Sequence, residues 1–135
     1  MGAVATMMQA LPRDRLADDT DRLAVCIEAC LNCDQACTAC ANACLTEAGV
    51  ADLTTCIRAN LNCADICSTT ARVLSRRTGF DATVTMAVLE ACAAACQACA
   101  NECERHKDMY RHCQVCAESC RSFERACRDF FSSID

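Results

Sequence analysis

Six thiols stand in one unbroken line near the start of the chain: Cys26, Cys30, Cys33, Cys37, Cys40 and Cys44. The gaps alternate 4, 3, 4, 3, 4. Three further groups follow, Cys56, Cys63, Cys67, then Cys92, Cys96, Cys99, Cys103, then Cys113, Cys116, Cys120, Cys127, for 17 cysteines in 135 residues. Nearly every gap is 3, 4 or 7, the spacings that return to one face of a helix. A thiol acts as a nucleophile, a disulfide partner or a soft-metal ligand. Little around these thiols suggests catalysis: the chain has two histidines, and no acid/base pair is ordered against a nucleophile.

A disulfide scaffold is the usual reading of a short cysteine-rich chain. Here the number of cysteines is odd, and three Gly and one Pro are too few for a loop-rich framework. The opening MGAVATMMQAL has no basic region of the kind that begins a secretory signal, so a reducing, cytoplasmic setting is expected. Gly2 and Thr6 fit a loose acylation pattern that is too short to carry a conclusion. No run is expected to span a membrane. The net charge of -5, with acidic and basic residues interleaved, offers no footprint for nucleic acid.

Thiolates buried in a reducing compartment select Cu(I), zinc or iron–sulfur clusters. Zinc takes four ligands, usually from paired CxxC motifs on loops or turns. CxxC does occur, at 30/33, 37/40, 96/99 and 113/116, but each lies within a longer helical pattern and overlaps a CxxxC. The bacterial C-x2-C-x2-C-x3-C-P cluster signature is absent, as is the C-x-x-C-H of a covalent haem. CxxxC occurs seven times. On a helix that spacing places two sulfurs on one face, able to converge on a single ion in near-linear geometry. The first stripe would run about 27 Å along its helix, far longer than one site needs. One monovalent ion per thiolate would nearly cancel the buried charge. The expected load is then between about eight and somewhat over seventeen ions per chain. A zinc or general soft-metal buffer is the alternative.

The elements that must hold these stripes follow from the punctuation. Pro12 and the acidic run Asp18, Asp19, Asp21 introduce a segment reaching Ala48, with Gly49 as its C-terminal stop. A second segment runs from about Ala51 to Thr78, ending in Arg76 and Arg77 and followed by Gly79. Asp81 is placed to cap a third segment to about Lys107, and Asp108 a fourth to about Phe131. Ala is abundant and no β-alternation is sustained. The prediction is an all-α protein, an antiparallel up-down-up-down four-helix bundle with a cysteine-lined core. Residues 1–17 form an N-terminal extension with a possible short helix, 18–131 the bundle and 132–135 a tail.

With all four stripes in view, the chain resembles the bacterial copper storage proteins, in their cytosolic branch, over about residues 18 to 131. The resemblance implies Cu(I) held inside the bundle, a homotetramer and storage without catalysis. A copper chaperone or low-molecular-weight thiol would be the loading partner.

An up-down bundle puts its first and third connections at one end. That end would gather Cys44, Cys56, Cys103 and Cys113 with His106, Met109 and His112. His106 and Met109 continue the stripes, whereas His112, next to Cys113, lies off them; all three are candidate ligands at a mouth. Met7 and Met8 are expected to pack or lie in a tail. The other end collects Leu23, Leu74, Phe80, Leu89, Phe130 and Phe131 around Cys26. Two positions interrupt the thiols. Asn60 stands between Cys56 and Cys63, facing the core near the mouth and in need of partners. Phe123 stands between Cys120 and Cys127 as filler near the closed end.

Overall fold

The computed structural model describes residues 2–12, 20–76 and 81–133. A short helix α1 (Ala3–Ala10) precedes four long ones, α2 (Thr20–Thr46), α3 (Thr54–Ser75), α4 (Ala82–Glu104) and α5 (Arg111–Ser133). Among the described residues there is no strand. The helix α2 packs on α3 and α5, and α4 packs on the same two, which closes a four-walled bundle; α1 lies against α2. Met8 of α1 is buried in this contact, while Met7 faces solvent.

The helices form where Ala and unbranched residues dominate and where local bonds secure their ends. Asp81 caps α4 as expected, its Oδ1 accepting from the Val84 amide at 3.1 Å, a bond worth about 1 kcal/mol. Asp108 does not do the same for α5. Residues 105–109 form a turn closed by the His106 carbonyl, which accepts from the amides of Met109 and Tyr110, and α5 starts only at Arg111. Asp18, Asp19, Arg77, Thr78, Gly79 and Phe80 lie outside the described residues.

Gly49 also departs from expectation. Its φ of -88° is not the left-handed conformation of a helix-stopping glycine, and it leads instead into a 3₁₀ turn, Val50–Leu53. The reason for glycine here is room: an added Cβ would stand 2.8 Å from Tyr110 Oη. Gly49 therefore lets the 46–54 connection press against the 105–110 connection at the same end of the bundle.

One further expectation is corrected. At 23 residues, with a mean hydropathy of 1.4 over an 18-residue window, α4 is long and apolar enough to cross a membrane. Its composition explains this without a bilayer: the inward face is cysteine, and between Ala82 and Asn101 the only charged residue is Glu90.

Candidate metal centre

All seventeen cysteines are free and buried, none more than 2% exposed. Each occupies a position that a bundle would ordinarily give to Leu or Ile, so sulfur fills the middle of the molecule. The sulfurs touch along helices and across them. Cys33 Sγ lies 3.5 Å from Cys120, 3.7 Å from Cys63 and 3.8 Å from both Cys96 and Cys37. Cys63 in turn meets Cys96 at 3.5 Å and Cys67 at 3.8 Å. Contacts between Cys33 and Cys96, and between Cys63 and Cys120 at 4.0 Å, cross the diagonals of the bundle. These separations are nearly twice a disulfide bond. They are contacts between free thiols.

Grouped by mutual approach within 4.8 Å, the sulfurs form a ladder along the axis. Towards the closed end stand Cys67, Cys92 and Cys96, then Cys33, Cys63, Cys96 and Cys120. Next come Cys37, Cys63, Cys99 and Cys120, then Cys40, Cys56 and Cys103, and finally Cys40, Cys44 and Cys113 with His112. Cys63, Cys96, Cys120 and Cys40 each belong to two rungs. A thiolate has several lone pairs, so a sulfur shared by two groups is placed to bridge two ions. Cys116 joins the ladder through Cys37 at 3.6 Å. Cys26, Cys30 and Cys127 continue the stripes of α2 and α5 towards the closed end.

Asn60 breaks the thiol line of α3 and is wholly buried. Its Oδ1 accepts from the thiols of Cys99 at 3.0 Å, Cys116 at 3.2 Å and Cys103 at 3.4 Å. Its amide nitrogen donates towards Cys56 Sγ at 3.7 Å. The expectation of a core-facing amide in need of partners holds, and one oxygen gathers sulfurs from both α4 and α5. Phe123 is completely buried, as expected for filler.

The two connections build the open end. His112 Nδ1 lies 3.3 Å from Cys40 Sγ and 3.7 Å from Cys113 Sγ. On its far side Nε2 meets Glu47 Oε2 at 2.8 Å, and the ring stacks on Tyr110 with centroids 5.6 Å apart. Glu47 comes from the 46–54 connection and Tyr110 from the 105–110 connection, so both turns hold one imidazole. His106 is the residue that continues the cysteine stripe, yet its Nε2 turns to Glu102 Oε2 at 2.9 Å. Met109 sits in the turn, 77% exposed. The sequence pattern ranked these residues by helical phase. The turn at 105–110 resets that phase, so the off-stripe histidine is the one that reaches sulfur.

Burial sets the protonation of the metal-free core. It pushes the Cys44 thiol up to about 11 and the Cys127 thiol up to about 12, against an ordinary 9.0, because a thiolate there has lost water. Burial opposes charging His112, but the adjacent Cys40 and Glu47 outweigh it and raise its pKa. At Cys44 and Cys127 the metal-free interior therefore keeps neutral thiols, and binding metal there must expel their protons.

Known proteins place this arrangement. The chain matches the copper storage protein family over residues 19–132. It is similar to the copper storage protein Ccsp of Streptomyces lividans, solved with 10 copper equivalents: 55% identity, 97% of this chain and 99% of that one covered, TM-score 0.93. A structure of the cytosolic copper storage protein of the same organism with five coppers is 61% identical over 83% of this chain and 93% of that one, TM-score 0.81. The Cu(I)-bound copper storage protein BsCsp3 is 36% identical over 77% of this chain and 92% of that one, TM-score 0.68. No curated protein matched the chain. A buried ladder of free thiols, in a fold shared along nearly the whole chain, leaves one assignment: this chain belongs to the copper storage protein family.

Proposed function

We infer that this chain stores Cu(I), sequestering many ions per chain as thiolate complexes inside the bundle, and that it catalyses no reaction. The observation that carries this is the continuity of the sulfur network, with S···S contacts from 3.5 to 4.0 Å joining all four helices. An isolated sensor or transfer site needs two to four donors. A shared-ligand ladder offers every incoming ion a neighbour with a spare lone pair. Each Cu(I) replaces a thiol proton, so the interior stays near neutrality as it fills, whereas bare thiolates there would be costly.

The reading has finer parts. The metal-binding unit is residues 18–131, with 1–17 an extension and 132–135 a tail. The ligands are the seventeen cysteines, with His112, His106 and Met109 as accessory donors at the mouth. His112 has the strongest support, through its approach to Cys40. Exposed Met109 suits first capture of an ion better than storage. The protein works in the cytosol as a homotetramer, and a copper chaperone or small thiol delivers its metal. The outward face of α4, where Ala87, Ala91, Ala94 and Ala98 are accompanied by Glu90 alone among charged groups between Ala82 and Asn101, supports self-association.

Titration of the reduced chain with Cu(I) against a competing chelator tests the central claim. The expected break lies at about ten equivalents or more, given the number of thiolates available to a soft monovalent ion. A break between one and four equivalents would sink the storage reading in favour of a discrete site.

A further inference from the structure

The last rung of the ladder differs from the others in donor set and in charge. We propose that Cys40, Cys44, Cys113 and His112 form a site for one divalent cation of zinc-like chemistry at the mouth of the bundle. The four donor atoms lie within 4.8 Å of one another. A tetrahedral zinc with Zn–S near 2.3 Å and Zn–N near 2.05 Å has S···S edges of about 3.8 Å and S···N edges of about 3.6 Å. Cys40 and Cys113 are 3.9 Å apart, and Nδ1 of His112 lies 3.3 and 3.7 Å from the same two sulfurs. The Cys40, Cys113 and His112 edges thus fit with shifts of a few tenths of an ångström. Cys44, within 4.8 Å of the other three donors, closes a Cys3His tetrahedron by moving inward by up to about 1 Å.

The group Cys33, Cys63, Cys96 and Cys120 has similar S···S edges, so geometry alone does not separate the two. Charge does. Four thiolates around one dication keep a net charge of -2, and all four of those cysteines are 0% exposed. Monovalent ions can be added there until the charge is cancelled; a single dication cannot achieve this. At the mouth, three thiolates and a neutral imidazole leave -1 around a dication. The adjoining Glu47 carboxylate adds another, but its side chain is 33% exposed and that of His112 24% exposed, so water screens the excess. Binding there releases three thiol protons and leaves the imidazole donating through Nδ1.

The surroundings favour this donor set. Glu47 Oε2 at 2.8 Å from Nε2 holds the tautomer whose Nδ1 lone pair faces the sulfurs, the carboxylate–histidine arrangement that orients zinc ligands elsewhere. Tyr110 stacked on the ring restricts its rotation. A cation held here also stands in the path of incoming copper, a consequence that rests on the storage reading.

The test uses the full reduced chain without copper. Co(II) is titrated as a spectroscopic probe and then displaced with Zn(II). The expected result is one equivalent of Co(II) showing the visible d–d and sulfur-to-metal bands of a tetrahedral thiolate site, released by one equivalent of Zn(II). Affinity should fall about 10–100-fold in Glu47→Ala and further in His112→Ala, with helicity by circular dichroism unchanged in both. Absence of tetrahedral bands, a plateau at several equivalents, or an undiminished spectrum in His112→Ala would overturn the site. These readouts contain no copper, so they fail or succeed apart from the storage reading. A second arm follows Cu(I) uptake after one equivalent of Zn(II), expected to slow at least tenfold; an unchanged rate overturns the obstruction.

Discussion

The two ends of the bundle are closed by opposite means. At one end Leu23, Leu74, Leu89, Phe123 and Phe130 are each at most 3% exposed and pack on Cys26 and Cys127 through dispersion and exclusion of water. At the other, Glu47, Tyr110 and His112 meet through a hydrogen bond and a ring stack, all part-exposed, over Cys40, Cys44 and Cys113. The apolar end is shut by groups with no affinity for a soft ion, and opening it means making a cavity. The polar end is shut by Glu47 and Tyr110 holding the His112 ring, with its Nδ1 facing the sulfurs of Cys40 and Cys113. On the proposed reading of the mouth, the difference gives the bundle a direction: a sealed floor and a mouth lined by donor groups.

Truncating the floor should have the largest effect. Phe123→Ala is expected to destabilise the metal-free protein by about 3–5 kcal/mol, the cost of a large aromatic side chain plus the cavity left behind, as read by denaturant unfolding. A loss below about 1 kcal/mol would mean that the floor is loosely packed and the contrast between the ends is overstated. Between the two ends, Asn60→Ala should cost about 1–3 kcal/mol, since the thiols of Cys99, Cys103 and Cys116 lose a shared buried acceptor. An unchanged denaturation midpoint would show that those three bonds contribute nothing net.

Alkaline pH should weaken both ends in the metal-free state. The folded Cys44 and Cys127 thiols titrate near 11 and 12 rather than 9.0. Above 9.0 the unfolded chain loses these protons while the folded chain keeps them, so the unfolded state binds fewer protons and stability falls as pH rises. Stability should be flat with respect to these groups below about pH 8 and decline through pH 9–12 in thermal melts. Stability that climbs in that window would contradict neutral buried thiols.

The mouth should show the smallest structural effect and a kinetic one instead. Replacing His106 and His112 with Ala is expected to change stability by no more than about 0.5 kcal/mol each, as for part-exposed side chains. Total Cu(I) capacity should be almost unchanged while uptake or release slows in stopped-flow mixing with a Cu(I) chelate. A large fall in capacity would make the histidines part of the store rather than of its mouth.

Much of this could be read from the residues one helix at a time. The 4, 3, 4, 3, 4 spacing from Cys26 to Cys44 specifies one buried face because helical rotation per residue is fixed by the backbone. Asp81 before an alanine-rich run marks a cap because its bond partner is three residues away. Asn60 and Phe123 are legible as interruptions because they occupy stripe positions. Each of these depends on local geometry, which short stretches of sequence encode.

The chain alone thus determined an all-α bundle, four sulfur-bearing walls and soft-metal chemistry. Tertiary structure decided which sulfurs share a rung, because contacts such as Cys33 with Cys96 depend on the register and rotation of helices brought together from distant parts of the chain. It gave Asn60 its three thiol partners from α4 and α5. It also decided the role of Gly49, which makes room for Tyr110 rather than stopping a helix. Most clearly, it chose His112 over His106. Helical phase favours His106, but the turn at residues 105–110 ends that phase, and only the packing of two connections sets which imidazole faces Cys40.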